Sequence, residues 1–380
     1  MAQEETLKYG MVGGGEGSFM GEVHRKAAAF HSDLELVSGC FSRNYEKTLK
    51  TGKNLGIAEE RLYKDFEEMA ENEAGKIDFV AIVLPNYAHY EAANPFVDRG
   101  INVLCEKPLT FTVAQAEDLQ QRVQETEIVF AVNYSYSGFP MVKQARRMVE
   151  EGEIGEVTMV MGEYPQEWIA TSLKDSDGDL STWRIDPEIA GISNCVGDIG
   201  SHIENTVSYI TGLEIESLCA NLESVAGASE LDDNASIMLK FDNGASGMYW
   251  SSQVAVGHDN GLKVRIYGTK GSIVWEQENP NYLEVSYSES PKQILSRARD
   301  DLYSEAEKVS TLPAGHPEGY YESFANMYQN YMEAVRAHLD GRYEPGKFDI
   351  PEIGAGVRGV KFIHNCVRSS KEGCVWVDFE

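Results

Sequence analysis

The apolar and polar residues in the first third of the chain follow two different patterns. Short apolar runs, of which IDFVAIVLP at residues 77–85 is the clearest, predict strands that are buried on both faces. Between them, segments such as TVAQAEDLQQRVQET at residues 112–126 place apolar residues at helical spacing and predict amphipathic helices. Strands that alternate with helices over short connections predict a doubly wound parallel sheet, the Rossmann arrangement.

The pattern changes after about residue 134, where longer strands with alternating apolar positions appear. The D-N-G sequence at residues 242–244 and the T-K-G sequence at residues 269–271 separate such strands and predict hairpin turns. The second part of the chain should therefore contain a large open sheet that is mixed or mostly antiparallel. We expect an α/β protein with a Rossmann domain over residues 1–133 and a second α/β domain over residues 134–380.

Length and charge narrow the classes of function. A chain of 380 residues usually divides into two domains, and 33 basic against 61 acidic residues leave a net charge of −28, which repels nucleic acid and anionic membranes. The chain has no apolar run of membrane-spanning length, and its charged, short N-terminus is not typical of a signal peptide. Six scattered cysteines predict reduced thiols rather than disulfides or a zinc site. We expect a cytoplasmic protein without a metal ion.

A glycine-rich segment, GMVGGGEGSFMGEVHRKAAA at residues 10–29, joins the first predicted strand to the first predicted helix. Gly13 and Gly15 match the first two glycines of a dinucleotide-binding turn, but the third glycine is delayed to Gly21. This context favours a pyrophosphate at the helix N-terminus over a simple tight turn, which is the alternative. The lengthened stretch, which contains Ser18, Phe19 and Met20, is predicted to fold over the cofactor.

The end of the second strand distinguishes NAD from NADP, because a carboxylate there binds the ribose hydroxyl and an arginine accepts a 2′-phosphate. Ser42 and Arg43 lie in this region without a carboxylate, which favours NADP, although Arg43 could equally stack on adenine or face solvent. In the loop after the buried strand, Pro85, Asn86 and His89 are candidates for the nicotinamide ribose. Turn formation and helix capping are equally good explanations for these three residues.

Two further segments carry titratable side chains. Lys107, between Glu106 and a proline after a buried strand, could hold a substrate hydroxyl or relay its proton, or could simply pair with Glu106 at the surface. Asp198 and His202 are four residues apart, so both project from one face if the segment is helical. They could act as an acid and a general base, or as a helix cap and a buried histidine. Two such ligands without a third do not make a metal site.

Taken in chain order, these segments resemble the GFO/IDH/MocA family of oxidoreductases. The resemblance covers nearly the whole chain and is carried by the glycine turn with His24, the PNYAH sequence at residues 85–89, the EKP sequence at 106–108 and the GDIGSH sequence at 197–202. It implies that Lys107 is catalytic, that Asp198 binds substrate and that His202 is the general base. It also implies hydride transfer to a nicotinamide, and a homo-oligomer, dimer to hexamer, formed through the C-terminal sheet.

A narrower resemblance is to the branch that contains levoglucosan dehydrogenase and the bacterial glycoside 3-oxidases. It implies oxidation of the C3 hydroxyl of a pyranose sugar or glycoside and a tightly bound NAD, against the NADP interpretation of Arg43. It also makes Tyr136, Trp183, Arg184 and His316 candidates for the pocket, with Trp183 and Arg184, like Glu106 and Lys107, near the cofactor as well. The alternatives are a cyclitol dehydrogenase, an NAD-assisted glycoside hydrolase and, least favoured, a dinucleotide sensor without catalysis.

Overall fold

Two sheets of different construction organise the chain, which a computed structural model describes over residues 5–175 and 182–380. In chain order the strands are β1 (Leu7–Gly13), β2 (Leu34–Cys40), β3 (Phe79–Val83), β4 (Asn102–Cys105), β5 (Phe130–Val132), β6 (Val157–Pro165), β7 (Ile215–Glu223), β8 (Asn234–Phe241), β9 (Ser246–Ser252), β10 (Lys263–Gly268), β11 (Gly271–Glu276), β12 (Tyr282–Tyr287), β13 (Gln293–Ser296) and β14 (Val377–Asp378).

Helices of very different length connect these strands. In chain order they are α1 (Phe19–Ala28), α2 (Tyr45–Asn54), α3 (Phe66–Glu73), α4 (His89–Val97), α5 (Val113–Thr126), α6 (Pro140–Glu150), α7 (Trp168–Asp175), α8 (Pro187–Ala190), α9 (Ser201–Thr211), α10 (Ser304–Lys308), α11 (Tyr320–Leu339) and α12 (Ile353–Lys371). Over the described ranges, none of them combines the length and the apolar character that a bilayer crossing requires.

The first compact unit consists of the described residues up to Ser135 and of Tyr320–Arg358. Its five strands run parallel in the order β2-β1-β3-β4-β5. The chain moves outward from β1 to β2 and then crosses to β3 on the other side of β1. This reversal makes β1 and β3 the switch point of the sheet, where ligands bind in open α/β folds. The expected Rossmann sheet is thus confirmed.

Helix α11 belongs to this first unit although it lies far along the chain. Phe324, Tyr328 and Tyr331 of α11 are buried in the same core cluster as Tyr9 of β1 and Phe79 of β3. The rings of Phe79 and Tyr331 lie 5.1 Å apart, edge to face. A single boundary after residue 133 does not anticipate this return, because an amphipathic helix does not reveal from its own sequence which sheet it covers.

The second compact unit consists of the described residues in 136–319 and of Gly359–Glu380. Its nine strands follow the order β13-β12-β11-β10-β6-β9-β8-β7-β14. The β6–β9 pair is parallel, and the other pairs are antiparallel. Strand β8 shows the expected alternation, since Ile237 and Leu239 are buried while Met238 between them is exposed. The mixed, mostly antiparallel sheet predicted from the hairpin turns is therefore confirmed.

Candidate functional site

The glycine loop of the first unit connects β1 to α1 at the carboxyl end of the parallel sheet. Ser18 caps α1, and its hydroxyl accepts a hydrogen bond from the Gly21 backbone N–H at 3.1 Å. A Cβ at Gly21 would lie 2.1 Å from the Gly14 carbonyl oxygen, and a Cβ at Gly13 would lie 2.2 Å from the Val83 carbonyl oxygen. Gly21 therefore allows α1 to approach the loop closely, and Gly13 allows β1 to approach the end of β3.

The geometry of this loop fits a dinucleotide phosphate. The first-turn N–H groups of α1, which include those of Phe19 and Met20, have no acceptors within the helix, and the helix dipole is positive at this end. A side chain at Gly15 would approach the Phe41 carbonyl oxygen to 2.9 Å, so the loop has to remain bare there. The Phe19 side chain is 67% exposed. We expect the backbone donors to hold the phosphates and the exposed ring to cover them.

Ser42 and Arg43 follow β2, as the sequence predicts. The Ser42 hydroxyl accepts from the Asn44 backbone N–H at 3.1 Å, which fixes the turn into α2. Arg43 is exposed, and no carboxylate stands between the end of β2 and Asn44. This arrangement leaves the Arg43 guanidinium accessible to an adenine or to a phosphate. The contact of either residue with a cofactor stays a prediction.

Pro85 and Asn86 open a short 3-10 turn after β3, at the same carboxyl edge as the glycine loop. His89 has a different place from the one expected for a residue that touches the cofactor. It is fully buried, with Nδ1 at 2.8 Å from the Pro108 carbonyl oxygen and Nε2 at 2.8 Å from the Leu84 carbonyl oxygen. Burial lowers its pKa, and the contacts with the two carbonyl oxygens oppose this shift. His89 thus joins two loops at the sheet edge and does not present its ring to a ligand.

Glu106 and Lys107 follow β4, and the Lys107–Pro108 peptide bond is cis. Glu106 is buried, and its Oε1 lies 2.8 Å from Nε2 of His24 and 2.5 Å from Nδ2 of Asn133. Its Oε2 accepts from the Lys107 backbone N–H at 3.3 Å. The half-buried Lys107 therefore extends from a backbone that Glu106 holds in place. This buried carboxylate acts by positioning its neighbour, and its oxygens are engaged inside the protein.

His24 links this network to α11, because its Nδ1 lies 2.8 Å from the Tyr328 hydroxyl. Burial raises the pKa of Tyr328 well above its usual range, so the phenol keeps its proton and can donate to Nδ1. Nε2 of His24 can then donate to Glu106. Burial alone would raise the pKa of Glu106, but the hydrogen bonds from His24 and Asn133 outweigh it and the pKa is lowered. Glu106 is therefore ionised at neutral pH.

In the second unit, His202 lies at the start of α9 beside two tyrosines. Its ring centroid is 4.8 Å from that of Tyr136, edge to face, and 6.2 Å from that of Tyr164. The Tyr136 hydroxyl is 2.5 Å from the Tyr164 hydroxyl, which donates to Oδ1 of Asn260 at 2.7 Å. Tyr136 must therefore donate to Tyr164, and burial raises the pKa of Tyr136 to about 12. The imidazole thus packs against protonated phenols.

Asp198 precedes His202 by four residues but does not belong to a regular α-helix. It lies in a π-helical turn, Val196–Gly200, that leads into α9, and π-turns are common at functional sites. Its Oδ2 accepts from Nε2 of Gln253 at 3.1 Å and lies 3.8 Å from Nε of Arg184. The structure therefore brings Asp198 and Arg184 together and adds Gln253, which the sequence did not indicate.

The two remaining candidates are Trp183 and His316. Trp183 begins the short 3-10 helix Trp183–Ile185, and its side chain lies outside the described part of the chain. His316 is exposed, and its carbonyl oxygen accepts from the buried Arg297, which also forms a 2.9 Å ion pair with the buried Glu318. The roles of Trp183, Arg184 and His316 stay predictions. Within residues 5–175 and 182–380, no cluster of three or more His, Cys, Asp or Glu side chains could hold a metal ion.

Each unit by itself carries groups that suit part of a dehydrogenase reaction. The first unit supplies a phosphate-binding loop and a lysine whose backbone is held by a buried carboxylate. The second unit supplies an imidazole, which can accept a proton near neutral pH, and a carboxylate, which can accept hydrogen bonds from hydroxyl groups.

Two family descriptions match the chain. The description "Oxidoreductase family, NAD-binding Rossmann fold" matches residues 7–134, and the description "GFO/IDH/MocA C-terminal domain" matches residues 142–274. The first match makes the N-terminal unit an NAD-binding Rossmann domain and the chain an oxidoreductase.

Individual proteins resemble the chain over most of its length. An uncharacterized oxidoreductase, YfiI of Bacillus subtilis (strain 168), is 34% identical over 99% of this chain and 98% of its own. Levoglucosan dehydrogenase of Pseudarthrobacter phenanthrenivorans is 29% identical over 75% of this chain and 77% of its own. An inositol dehydrogenase homolog from Azotobacter vinelandii, solved with NADH and myo-inositol, has a TM-score of 0.91 and 32% identity over 99% of this chain and 98% of its own. The chain belongs to the GFO/IDH/MocA oxidoreductase family.

Proposed function

We propose that the protein is an NAD-dependent dehydrogenase that oxidises a secondary hydroxyl, at C3, of a pyranose sugar or glycoside. The observation that carries the proposal is the group of side chains in the second unit. An imidazole packs 4.8 Å from the buried Tyr136 ring, and a carboxylate four residues earlier is held by Gln253. A base and a hydrogen-bond acceptor four residues apart suit a substrate that carries adjacent hydroxyl groups.

The residues of the chain have distinct tasks in this reaction. His202 accepts the hydroxyl proton, Asp198 binds a substrate hydroxyl, and Lys107 assists proton transfer. When bound, NAD would supply the hydride acceptor, so that one secondary alcohol would give one ketone, one NADH and one proton. The glycine loop and the first turn of α1 hold the phosphates. Glu106 keeps the Lys107 backbone in place through its bonds to His24 and Asn133.

Similarity to levoglucosan dehydrogenase supports a sugar substrate, and similarity to the inositol dehydrogenase homolog supports a cyclitol as the second candidate. Both are rigid six-membered rings with several secondary hydroxyls. The match of residues 7–134 to the NAD-binding description supports NAD over NADP, in spite of the exposed Arg43. The mass of the nucleotide released on denaturation, or a comparison of the two cofactors as substrates, tests this part of the proposal.

A panel of glucosides, free pyranoses and inositols, with NADH absorbance as the readout, tests the reaction. We expect reduction with glucosides and a product two mass units lighter than the substrate. His202→Ala and Lys107→Ala should each lower turnover by about 10²–10⁴-fold, whereas Lys76→Ala, at an exposed lysine, should not change it. Absence of reduction across the panel, or near-normal turnover in both active-site variants, would contradict the proposal. Release of the aglycone without net NADH would instead indicate the NAD-assisted hydrolase.

The outer face of the nine-stranded sheet supports self-association. Met161, Met248 and Met238 are paired across β6, β9 and β8, and Met238 and Met248 are 49% and 47% exposed. We propose that a second copy of the chain covers this row, because an exposed apolar patch in a sheet favours association. Light scattering should show a dimer or larger oligomer that Met248→Glu dissociates. The same mass for both proteins would contradict this interface.

A further inference from the structure

We propose that Gln253 is a positioning residue that aims the carboxylate of Asp198, and that Asn194 sets the direction of its amide. The proposal deepens the proposed function, since Asp198 is the substrate-binding acid there. None of the sequence motifs includes Gln253 or Asn194. Both side chains are nevertheless buried in the second unit, in direct contact with each other and next to the π-turn that carries Asp198.

The backbone of Gln253 is held on both sides. Its N–H donates to the Asp233 carbonyl oxygen at 2.8 Å, and its carbonyl oxygen accepts from the Ile169 N–H at 3.0 Å. The side chain itself is fully buried. A glutamine at the end of a strand is ordinarily exposed, so complete burial of this amide requires partners for both of its ends.

The hydrogen bonds of the amide have one polarity. Nδ2 of Asn194 donates to Oε1 of Gln253 at 2.7 Å, and Nε2 of Gln253 donates to Oδ2 of Asp198 at 3.1 Å. A carboxylate accepts and cannot donate, so the nitrogen end of Gln253 has to face Asp198. Asn194 donates to the oxygen end of the Gln253 amide. If this amide turned round, its nitrogen would face the Asn194 donor and its oxygen would face the Asp198 carboxylate.

The backbone at Asn194 is held by a buried carboxylate. Oδ1 of Asp232 accepts from the Asn194 backbone N–H at 3.0 Å, and Oδ2 accepts from the Ser193 hydroxyl at 3.0 Å and the Val196 N–H at 2.9 Å. These bonds hold the entry to the π-turn on which Asp198 lies. Asp232 therefore fixes the backbone from which the side-chain links Asn194–Gln253 and Gln253–Asp198 run.

Arg184 constrains this direction less than Gln253 does. Arg184 approaches the same Oδ2 at 3.8 Å, which is beyond hydrogen-bond distance, and its side chain is 40% exposed. Burial raises the pKa of Tyr136 and of Cys195, so both groups facing this region are neutral at physiological pH. His202 follows one helical turn later. A buried amide with fixed polarity is the partner that can keep the carboxylate in one rotamer before substrate arrives.

The test uses Gln253→Glu, Gln253→Met and, as a matched control for added charge, Gln293→Glu on the exposed strand β13. A carboxylate in place of the amide nitrogen would share a proton with Asp198. In Gln253→Glu the acid limb of the kcat/KM profile for the sugar should therefore move up by about one pH unit or more. In Gln253→Met the sugar KM should rise about tenfold or more with KM for NAD unchanged, because the donor to Asp198 is lost together with the acceptor for Asn194. Gln293→Glu should behave as the wild type.

A second readout needs no turnover. The carboxyl carbon of Asp198, assigned by its absence in Asp198→Asn, is titrated by NMR in protein labelled at aspartate. A pKa of Asp198 higher in Gln253→Glu than in the wild type and in Gln293→Glu supports the proposal, and an unchanged pKa overturns it. If the wild type oxidises no compound of the panel, the proposed function fails while this titration still decides the role of Gln253. If the wild type is active and both Gln253 variants share its KM and pH profile, the positioning role alone is overturned.

Discussion

The close approach of α1 to the glycine loop makes Gly21→Ala a sharp test of the cofactor site. The added Cβ would lie 2.1 Å from the Gly14 carbonyl oxygen, 2.4 Å from its Cα and 2.5 Å from its carbonyl carbon. All three atoms belong to the backbone, so no side-chain rotation can relieve the contact. Either α1 or the loop has to move.

The size of the effect follows from these distances. Real Cβ atoms essentially never approach a heavy atom to less than 3.0 Å, so the 2.1 Å contact requires a shift of about 0.9 Å. Overpacking of this kind costs about 1–3 kcal/mol of folding free energy. A shift of nearly 1 Å also displaces the first-turn N–H groups from the phosphates, and the loss of one well-placed hydrogen bond, about 1.4 kcal/mol, weakens NAD binding about tenfold.

Urea unfolding and NAD titration measure the two effects separately, and Gly354→Ala is the matched control. Gly354 is also a helical glycine of the first unit, but a Cβ there would meet only Nε2 of Gln120 at 3.7 Å, an ordinary contact. This control should bind NAD normally and gain about 0.4–1 kcal/mol of stability, because alanine favours a helix over glycine. If Gly21→Ala matched the wild type in both stability and NAD affinity, the packing argument for the delayed glycine would be wrong.

Three further predictions concern the same unit. His24→Ala should destabilise the protein by about 3 kcal/mol, since it removes a hydrogen bond from each of two buried groups, the Glu106 carboxylate and the Tyr328 hydroxyl; a loss below about 1 kcal/mol in urea unfolding would refute this. Folding lowers the pKa of Glu106. The ionised Glu106 therefore stabilises the fold above its unfolded pKa near 4.5, and this stabilisation is lost as the pH falls through the folded pKa. On acidification, the urea midpoint should therefore fall less steeply in Glu106→Gln than in the wild type. Removal of three residues within 16–20 should speed NADH release in stopped-flow experiments, and an unchanged rate would show that the lengthened loop does not cover the cofactor.

Much of the fold could be predicted because its signals are local. Each of these signals lies within fewer than twenty neighbouring residues. Examples are the buried run in β3, the helical spacing in α5 and the turn at residues 242–244. The delayed glycine could also be recognised, because the close approach of α1 to the glycine loop requires a residue without a side chain at position 21. The sequence left open whether the segment around Asp198 is helical, and a π-turn of five residues is too short to show a periodicity of its own.

The sequence does not show whether a side chain points into the protein or towards a ligand, as His89 illustrates. A histidine after Pro-Asn in a loop at the sheet edge has the right position for a ligand contact, yet its ring points inward to two carbonyl oxygens from separate loops. One acceptor comes from Leu84 and the other from Pro108, nineteen residues away in sequence. No local pattern encodes the second acceptor, because it depends on the register of β3 and β4 in the finished sheet.

The hydrogen bonds that end on Asp198 are a second feature that the local sequence does not encode. Ser251, Ser252 and Gln253 form a polar run at the end of β9, which by composition would indicate a solvent-exposed turn, but all three are buried. A buried polar run is stable only if each group finds a partner, and the partners of Gln253 come from residues 194 and 198, more than fifty positions earlier in the chain. What identifies such a network is therefore the mismatch between a polar sequence and a buried position. That mismatch becomes visible only when the sheet is known, and here it identifies Gln253 as the residue proposed to orient Asp198.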